Sequence, residues 1–400
     1  MKRIRLSGSI KNFFKDSLWS IAGLLIMNAV LQFMIYPVWN ARLGSETYGR
    51  ILYLISLMNI AAIPWGSSAN MIRILHKGSA KADSNLYAAI LLPISALMFP
   101  LAVLLWRDAP SFPAAALYGL LLSLTIWRYY ADVEYRLSLN YTGYFLYYLG
   151  ISAGYLFGLL LFRYTGFWTL ALLPGECLAT LLVFLRYASF HFSALPDFRN
   201  LRAVSSEIFM MVASNTLSTL IFNGDRLILQ WFAGGTAVTV FYIASLMGKT
   251  ASLITVPLSS ALAGHIRAYQ GKLTKRLYGL SLILTVSGIL AATGGTWLFS
   301  QLVLRFLYPH EFAAAQAFFL FGNVAYVMYF VGNILMIVLL RFCPVTYQVF
   351  VNSFYAAAFC ILCVPGTCLW GIHGFCICFA SVCLLRLLLI VWLLRNGIDG

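Results

Sequence analysis

Charged residues are scarce in this sequence, and acidic residues most of all. Only 10% of the 400 residues are charged, and 12 aspartates and glutamates stand against 27 lysines and arginines. Hydrophobic residues make up 62% of the chain, and the mean hydropathy is +0.86. So few charges cannot solvate the surface of a water-soluble globule of this length. The composition therefore indicates a polytopic membrane protein.

Long polar segments are also missing. The longest polar connection between apolar runs is the stretch 186–207, which contains Pro196, Asp197 and Arg199. A membrane glycosyltransferase or polymerase is expected to carry a sizeable loop with catalytic acids, and no such loop interrupts this sequence. The sequence thus argues against an enzyme of that class.

Complete motifs for nucleotides or metals are absent as well. Gly248, Lys249 and Thr250 match the end of a Walker A motif, but Ile243 stands where its first glycine is required. Six of the eight cysteines lie between positions 360 and 383. A zinc site needs a fixed tetrahedral set of ligands, whereas most of these cysteines fall inside apolar runs and act there as small apolar residues. We predict no cofactor, no metal site and no catalytic residue.

Twelve apolar runs of roughly 20 residues follow one another along the chain, the length that crosses a hydrocarbon core about 30 Å thick. Lipid offers backbone groups no water, and the runs lack the two-residue alternation of a membrane barrel, so helices are required. We predict an all-α polytopic membrane protein with twelve transmembrane helices at 17–39, 49–72, 86–106, 113–131, 142–162, 166–186, 208–232, 237–261, 277–298, 313–340, 346–366 and 371–394.

The distribution of cations predicts the orientation. With a cytoplasmic N-terminus, 19 of the 27 lysines and arginines lie on the cytoplasmic side, 6 lie outside, and Lys249 and Arg386 lie inside helices. This bias places both termini in the cytoplasm. The first apolar run is too long for a signal-peptide core and is predicted to be an uncleaved helix. Anionic lipid headgroups are a sufficient partner for the net charge of +15. The predicted partners therefore include membrane lipids and exclude nucleic acid.

The sequence repeats itself at half its length. The stretch YLISLM at 53–58 returns as YIASLM at 242–247, 189 positions later. That offset places predicted helix 1 on helix 7 and helix 2 on helix 8. Because six helices return the chain to the cytoplasm, the halves are parallel repeats, an arrangement in which transporters hold substrate between the halves. We predict an N-terminal lobe at 1–190, a cytoplasmic linker at 191–206 and a C-terminal lobe at 207–400.

Several of these segments resemble a known family. Pro37 and ARLGSETYG at 41–49, NGDRLIL at 223–229 and FYIASL at 241–246 are similar to the polysaccharide-repeat flippases of O-antigen and capsule type. That family belongs to the multidrug/oligosaccharidyl-lipid/polysaccharide (MOP) exporter superfamily. The resemblance covers essentially the whole chain.

The resemblance implies a V-shaped pair of helix bundles that alternate between inward-open and outward-open states. The implied cargo is an undecaprenyl-pyrophosphate-linked oligosaccharide, moved from the cytoplasmic to the outer leaflet of the bacterial inner membrane. Other polysaccharide-assembly proteins are implied partners. Transport would be driven by an H⁺ or Na⁺ gradient or by consumption of the cargo outside.

Lys249 is the sharpest candidate for contact with such a cargo. A lysine at a helix centre costs roughly 2.5 to 3.5 kcal/mol on insertion scales, and each surrounding apolar residue returns about 0.3 to 0.6. The helix still inserts, but the ammonium must face the bundle interior or a wet cavity. There a pyrophosphate would supply its counter-charge. The alternative is a permanent structural pair with a buried carboxylate, for which Glu176 is the obvious partner.

Other polar residues complete the candidate site. Asn28 and Gln32 share one helix face, and with Asn215 they either line a cleft between the lobes or form ordinary interhelical hydrogen bonds. Arg50 is a further candidate to contact the anion. Three residues are assigned coupling or structural charge: Glu176, which would carry a proton or hold Lys249, and Asp225 and Arg226, which would hold each other or a helix end.

Two rival functions stay open. A drug or metabolite exporter of the same superfamily would need acidic cavity residues for cationic cargo. A membrane glycan polymerase or ligase would need catalytic acids. The charges predicted at mid-membrane, Lys249, Arg386 and Glu176, favour an anionic cargo over a cationic one. Arg386 is expected to lie close enough to the cytoplasmic face for its side chain to snorkel into it.

The cation count yields a topology prediction. In a variant without native cysteines, a cysteine at Thr274 should react with membrane-impermeant reagents only from the cytoplasmic side, and one at Thr367 only from outside. Labelling of position 274 in intact cells would contradict the topology.

Overall fold

The computed structural model describes Trp19 and residues 21–187, 198–268, 271, 273–344 and 346–396. These residues are almost entirely helical and contain no β-strand. The helices are α1 (Ile21–Leu43), α2 (Ser45–Ala61), α3 (Ile63–Leu75), α4 (Ser84–Leu105), α5 (Phe112–Ala131), α6 (Val133–Leu137), α7 (Tyr141–Thr165), α8 (Leu173–Tyr187), α9 (Phe198–Ala268), α10 (Lys275–Leu307), α11 (Phe312–Gln316), α12 (Phe319–Phe342) and α13 (Thr346–Asn396).

Among the described residues, eight helical segments are long and apolar enough to cross a membrane. The all-helical prediction is confirmed, and the count of twelve crossings stays a prediction. Of the predicted linker, residues 191–197 lie outside the described part of the chain.

Two long helices are each divided by a glycine with a positive φ, a conformation that other residues rarely adopt. Gly234 divides α9 at φ 83°, and Gly371 divides α13 at φ 57°. A Cβ on Gly374 would lie 2.0 Å from the carbonyl oxygen of Gly366, so the two arms of α13 are antiparallel and in contact. The sequence predicts short loops here, and a single glycine makes each reversal.

The chain forms two compact units. Unit 1 contains residues 1–39 and 54–224. Its helices approach one another closely at glycines: a Cβ on Gly66 would lie 2.3 Å from the carbonyl oxygen of Ile126, and one on Gly158 would lie 2.4 Å from that of Ala171. Small residues at such contacts let membrane helices pack backbone to backbone.

Unit 2 contains residues 40–53 and 225–400. Its apolar core joins α12 to both arms of α13 through fully or almost fully buried side chains, among them Leu335, Leu339, Val351, Ile390 and Leu394. The start of α2 belongs to this unit. It approaches the C-terminal arm of α9 so closely that a Cβ on Gly49 would lie 1.8 Å from the carbonyl oxygen of Gly235.

One labelling position chosen on sequence is unsuitable. Thr367 is 1% exposed, and its hydroxyl donates to the carbonyl of Cys363 at 2.6 Å. Leu369, in the same turn region, is 70% exposed. A cysteine at Leu369 is therefore the better reporter for the outer side, paired with the exposed Thr274.

The contact at Gly49 gives a stability prediction. Gly49→Ala should lower the free energy of unfolding by about 1 to 3 kcal/mol, because the added methyl meets a backbone oxygen that cannot move away alone. Thermal unfolding of the purified protein in detergent measures it. Gly288→Ala is the matched control, since nothing lies within 4 Å of a Cβ at that helical glycine. Equal melting temperatures for the two variants would contradict the close packing at Gly49.

Candidate functional site

A buried ion pair lies inside unit 2. The ammonium of Lys249, on the C-terminal arm of α9, lies 2.6 Å from Oδ2 of Asp225, on the N-terminal arm. The hydroxyl of Tyr326 on α12 donates to the same Oδ2 at 2.8 Å. The Lys249 side chain is 8% exposed and that of Asp225 is 2% exposed. Lys249 thus has the structural partner that sequence reasoning anticipated, but the carboxylate is Asp225 and not Glu176.

The backbone beside Lys249 is held in place by an asparagine. Oδ1 of Asn323 accepts from the backbone N–H of Gly248 at 2.7 Å, and Nδ2 of Asn323 donates to Oγ of Ser300 at 3.0 Å. A Cβ on Gly248 would lie only 3.0 Å from the Asn323 backbone. These contacts connect α9 to α12 and α10 and fix the position of the lysine.

Aromatic rings surround the ammonium. Nζ of Lys249 lies 4.7 Å from the ring centre of Tyr326 and 5.9 Å from that of Tyr242. The guanidinium of Arg226 lies 5.0 Å from the Tyr242 ring. The faces of such rings attract cations, so Tyr242 lies near two cations and Tyr326 near one.

Arg386 is also buried in unit 2, and the expectation that it snorkels to the cytoplasmic face is wrong. The residue is 3% exposed. Its guanidinium donates to Oδ1 of Asn333 at 2.7 Å and to the carbonyl of Tyr329 at 3.1 Å, and it lies 4.6 Å from the Tyr329 ring centre. Acceptors on α12 bind the guanidinium inside the helix bundle. The side chain therefore does not extend towards the cytoplasmic face.

A second buried ion pair lies in unit 1. Oε2 of Glu176 accepts from Nε of Arg128 at 2.7 Å, and Oε1 accepts from the Tyr155 hydroxyl at 2.5 Å. The side chains of Arg128 and Glu176 are 7% and 3% exposed. Sequence reasoning had counted Arg128 as a cytoplasmic loop cation. Its position inside the predicted span 113–131 was the available signal, since an arginine there requires an acidic partner.

The amides assigned to a cleft mostly bond within the helices of unit 1. Nδ2 of Asn28 donates to the carbonyl of Leu24 in its own helix at 2.8 Å, and Nδ2 of Asn215 donates to Oγ of Ser68 at 2.9 Å. The second bond is the interhelical hydrogen bond of the alternative interpretation. Gln32 lies in a π-helical segment, Leu31–Ile35, where the regular α-helical hydrogen-bond pattern is interrupted.

Arg50 lies in the first turns of α2 and is well exposed. Its Nε is 3.8 Å from Oε1 of Glu46, with both side chains more than half exposed. Glu46 also accepts from the backbone N–H groups of Gly235 and Thr236 at 3.2 and 2.9 Å, where the C-terminal arm of α9 begins. A carboxylate at this position satisfies free N–H groups and opposes the helix dipole. Arg50 thus supports a helix cap. An exposed ion pair of this kind contributes little to the stability of the fold by itself.

Sequence reasoning missed a polar cluster at the end of α5. Asp132 is 3% exposed and accepts hydrogen bonds from Asn70, Tyr144, Tyr148 and Arg136. Burial raises the pKa of Asp132 above its usual value, although Arg136 and the hydrogen bonds act in the opposite direction. The cluster joins α3, α5, α6 and α7 and is a structural element of unit 1.

The Arg128 pair generates a prediction. Glu176→Gln should lower the free energy of unfolding by about 3 to 5 kcal/mol, because it leaves the Arg128 guanidinium buried without its counter-charge. Thermal unfolding in detergent measures the loss. Asp108→Asn, at an exposed carboxylate, should change the melting temperature little, and the same small change for Glu176→Gln would show that the pair is not structural.

Known structures match the chain over nearly its whole length. A multidrug resistance MATE family transporter of the MOP superfamily, in an inward-facing conformation, has a TM-score of 0.73 at 15% identity, over 95% of this chain and 98% of that one. The lipid II flippase MurJ, in an inward closed conformation, has a TM-score of 0.67 at 12% identity, over 96% and 86%. A MOP superfamily transporter from Pyrococcus furiosus, whose binding pocket is described as reversed in polarity, has a TM-score of 0.61 at 14% identity, over 95% and 93%.

No family model matches the sequence, and no curated protein matches it significantly. Identities of 12 to 15% show likeness of fold and nothing finer. The chain therefore has the fold of the transporters of the MOP superfamily.

Proposed function

We propose that this protein is a flippase for undecaprenyl-pyrophosphate-linked oligosaccharide repeat units. It moves them from the cytoplasmic to the outer leaflet of a bacterial inner membrane by alternating access, for assembly of a surface polysaccharide. In this proposal twelve helices form two six-helix lobes, at 1–190 and 207–400, and both termini are cytoplasmic. The MOP fold supports transport, and its occurrence in the lipid II flippase shows that this fold serves lipid-linked cargo in at least one protein.

The observation that carries the proposal is the excess of positive charge inside unit 2. Among the described residues of unit 2, two buried cations, Lys249 and Arg386, accompany one buried carboxylate, Asp225, and Arg226 beside it is half-buried. Charge at membrane depth is expensive unless it is compensated. A pyrophosphate brings two negative charges and several strong acceptor oxygens, and it binds lysine and arginine by charge-assisted hydrogen bonds. An anionic headgroup therefore suits this interior better than a cationic drug does.

The rival function is drug export. The fold alone does not exclude it, because the MATE transporter above, which has the same fold, is described as a multidrug resistance transporter. Cationic cargo, however, needs carboxylates that are free to pair with it. Among the described residues of the spans, Glu176 is bound by Arg128 and Asp225 by Lys249. Both carboxylates already have protein cations as partners, which favours the flippase.

A membrane glycan polymerase or ligase is the remaining rival. The known structures named above are transporters and a flippase, which supports a protein that is not an enzyme. The nucleotide pattern at Lys249 is incomplete, so an H⁺ or Na⁺ gradient, or consumption of the cargo outside, drives transport.

The test is substitution of Lys249. If its charge binds the pyrophosphate, Lys249→Arg should keep partial export of surface glycan, because attraction in a poorly screened interior depends more on charge than on shape. Lys249→Gln should lose most export while the protein stays in the membrane at its normal level. Glycan at the cell surface and protein in the membrane fraction are measured in the same cells.

The control is Arg305→Gln, at an exposed cation at the end of α10, and it should export normally. A purely structural role predicts a different pattern. Lys249→Gln would strand the buried Asp225 and lower protein abundance, and Asp225→Asn in the same chain would restore both abundance and export. Normal export by Lys249→Gln at normal abundance would remove Lys249 from the binding site.

A further inference from the structure

Asp225 uses only one of its two carboxylate oxygens to bind Lys249. Both of its hydrogen-bond donors, the Lys249 ammonium and the Tyr326 hydroxyl, use the single oxygen Oδ2. The other oxygen, Oδ1, is buried and has no hydrogen-bond partner among the described residues. A buried carboxylate oxygen without a donor is costly. A proton that bound at Oδ1 would neutralise the carboxylate.

We propose that Asp225 is a built-in competing anion at Lys249, which the pyrophosphate of the cargo displaces. The displaced carboxylate takes up one proton at Oδ1 from the buffered solvent, whose buffer acid loses it. The contact between the Lys249 ammonium and Oδ2 breaks, contacts between the ammonium and phosphate oxygens form, and the lysine keeps its proton throughout. The inference rests on the proposed function and adds a gate to its binding site.

The exposure of the two partners indicates which of them meets the cargo. Both side chains are buried, with Lys249 8% exposed and Asp225 2% exposed, so the cation is the less deeply buried member of the pair. The Tyr326 hydroxyl stays bonded to Oδ2 when the ammonium leaves, so the carboxyl group remains in place for the return exchange.

Other polar groups lie around the pair of Asp225 and Lys249. The Lys249 ammonium and the Tyr326 hydroxyl contact Oδ2 of Asp225, and Arg226 is the next residue in the chain. Tyr242 lies near both cations. When the ammonium moves from Asp225 to a pyrophosphate, Asp225 loses its contact with that cation but stays buried. Desolvation then favours the protonated acid.

Glu176 shows what a permanent pair looks like in the same protein. Both of its oxygens accept hydrogen bonds, and its cation is an arginine, which binds a carboxylate in a fixed geometry. The Asp225 pair has a lysine, a shared oxygen and an unbonded oxygen instead. We therefore assign the exchange to Asp225, in place of the proton-carrying role that the sequence suggested for Glu176.

The experiment uses the full-length protein in detergent and a short-chain prenyl pyrophosphate sugar as probe. Both phosphates of this diester are fully ionised near neutral pH, so the probe itself releases and binds no proton. Calorimetry in buffers of different ionisation enthalpy measures affinity and proton uptake together. The wild-type protein should take up about one proton for each probe bound.

Asp225→Asn should bind the probe about tenfold more tightly or better, if the competitor occupies Lys249 in nine molecules of ten. Its proton uptake should vanish. The measurement is made at about pH 6. Turnover should fall, because release of the cargo loses its competitor. Asp132→Asn, at a buried carboxylate of unit 1, is the matched control and should match the wild type in affinity and proton uptake.

The outcomes separate the exchange from the proposed function. If Lys249→Gln abolishes binding but Asp225→Asn binds no more tightly and takes up the same proton, the flippase site stands and the exchange is wrong. If Lys249→Gln binds the probe as well as the wild type, Lys249 is not the cargo contact, and both inferences fail.

Discussion

Compensation of charge at membrane depth is the constraint on which the interior of this protein depends. A sequence with 27 cations and 12 acids places most of its charge outside the lipid, where headgroups and water solvate it. The few charges that remain inside must find partners or face water. Among the described residues, the buried cations have partners: Lys249 has Asp225, Arg128 has Glu176, Arg73 has Glu134, and Arg386 has the acceptors of α12.

The two units meet this constraint differently. In unit 1 the pair of Arg128 and Glu176 is closed by a third group, the Tyr155 hydroxyl, and both carboxylate oxygens are used. Unit 2 leaves one oxygen of Asp225 unbonded and retains an excess of cations. A closed pair suits a rigid scaffold, whereas an open pair with surplus positive charge suits a site that binds and releases an anion. This contrast connects the fold to the proposed cargo.

Much of this could be predicted from the sequence, because lipid forces the backbone into helices and apolar runs reveal them. The isolation of Lys249 in an apolar helix identified it as a residue in need of a partner. The partner carboxylate was wrongly taken to be Glu176, although the short connection predicted between the spans 208–232 and 237–261 already brings Asp225 to the depth of Lys249. Arg128 was misassigned because a cation count assigns residues near helix ends to loops. The burial of Arg386 depends on acceptors of a separate helix, which no local pattern indicates.

The most direct test of the central claim is transport by the purified protein in liposomes. A fluorescent prenyl-pyrophosphate-linked sugar and a cationic dye are offered to the same vesicles under the same ion gradient. The account predicts that the lipid-linked sugar crosses the bilayer, that the dye does not, and that Lys249→Gln abolishes the movement. Transport of the dye, with the lipid-linked sugar left in its original leaflet, would contradict the account and establish a cation exporter.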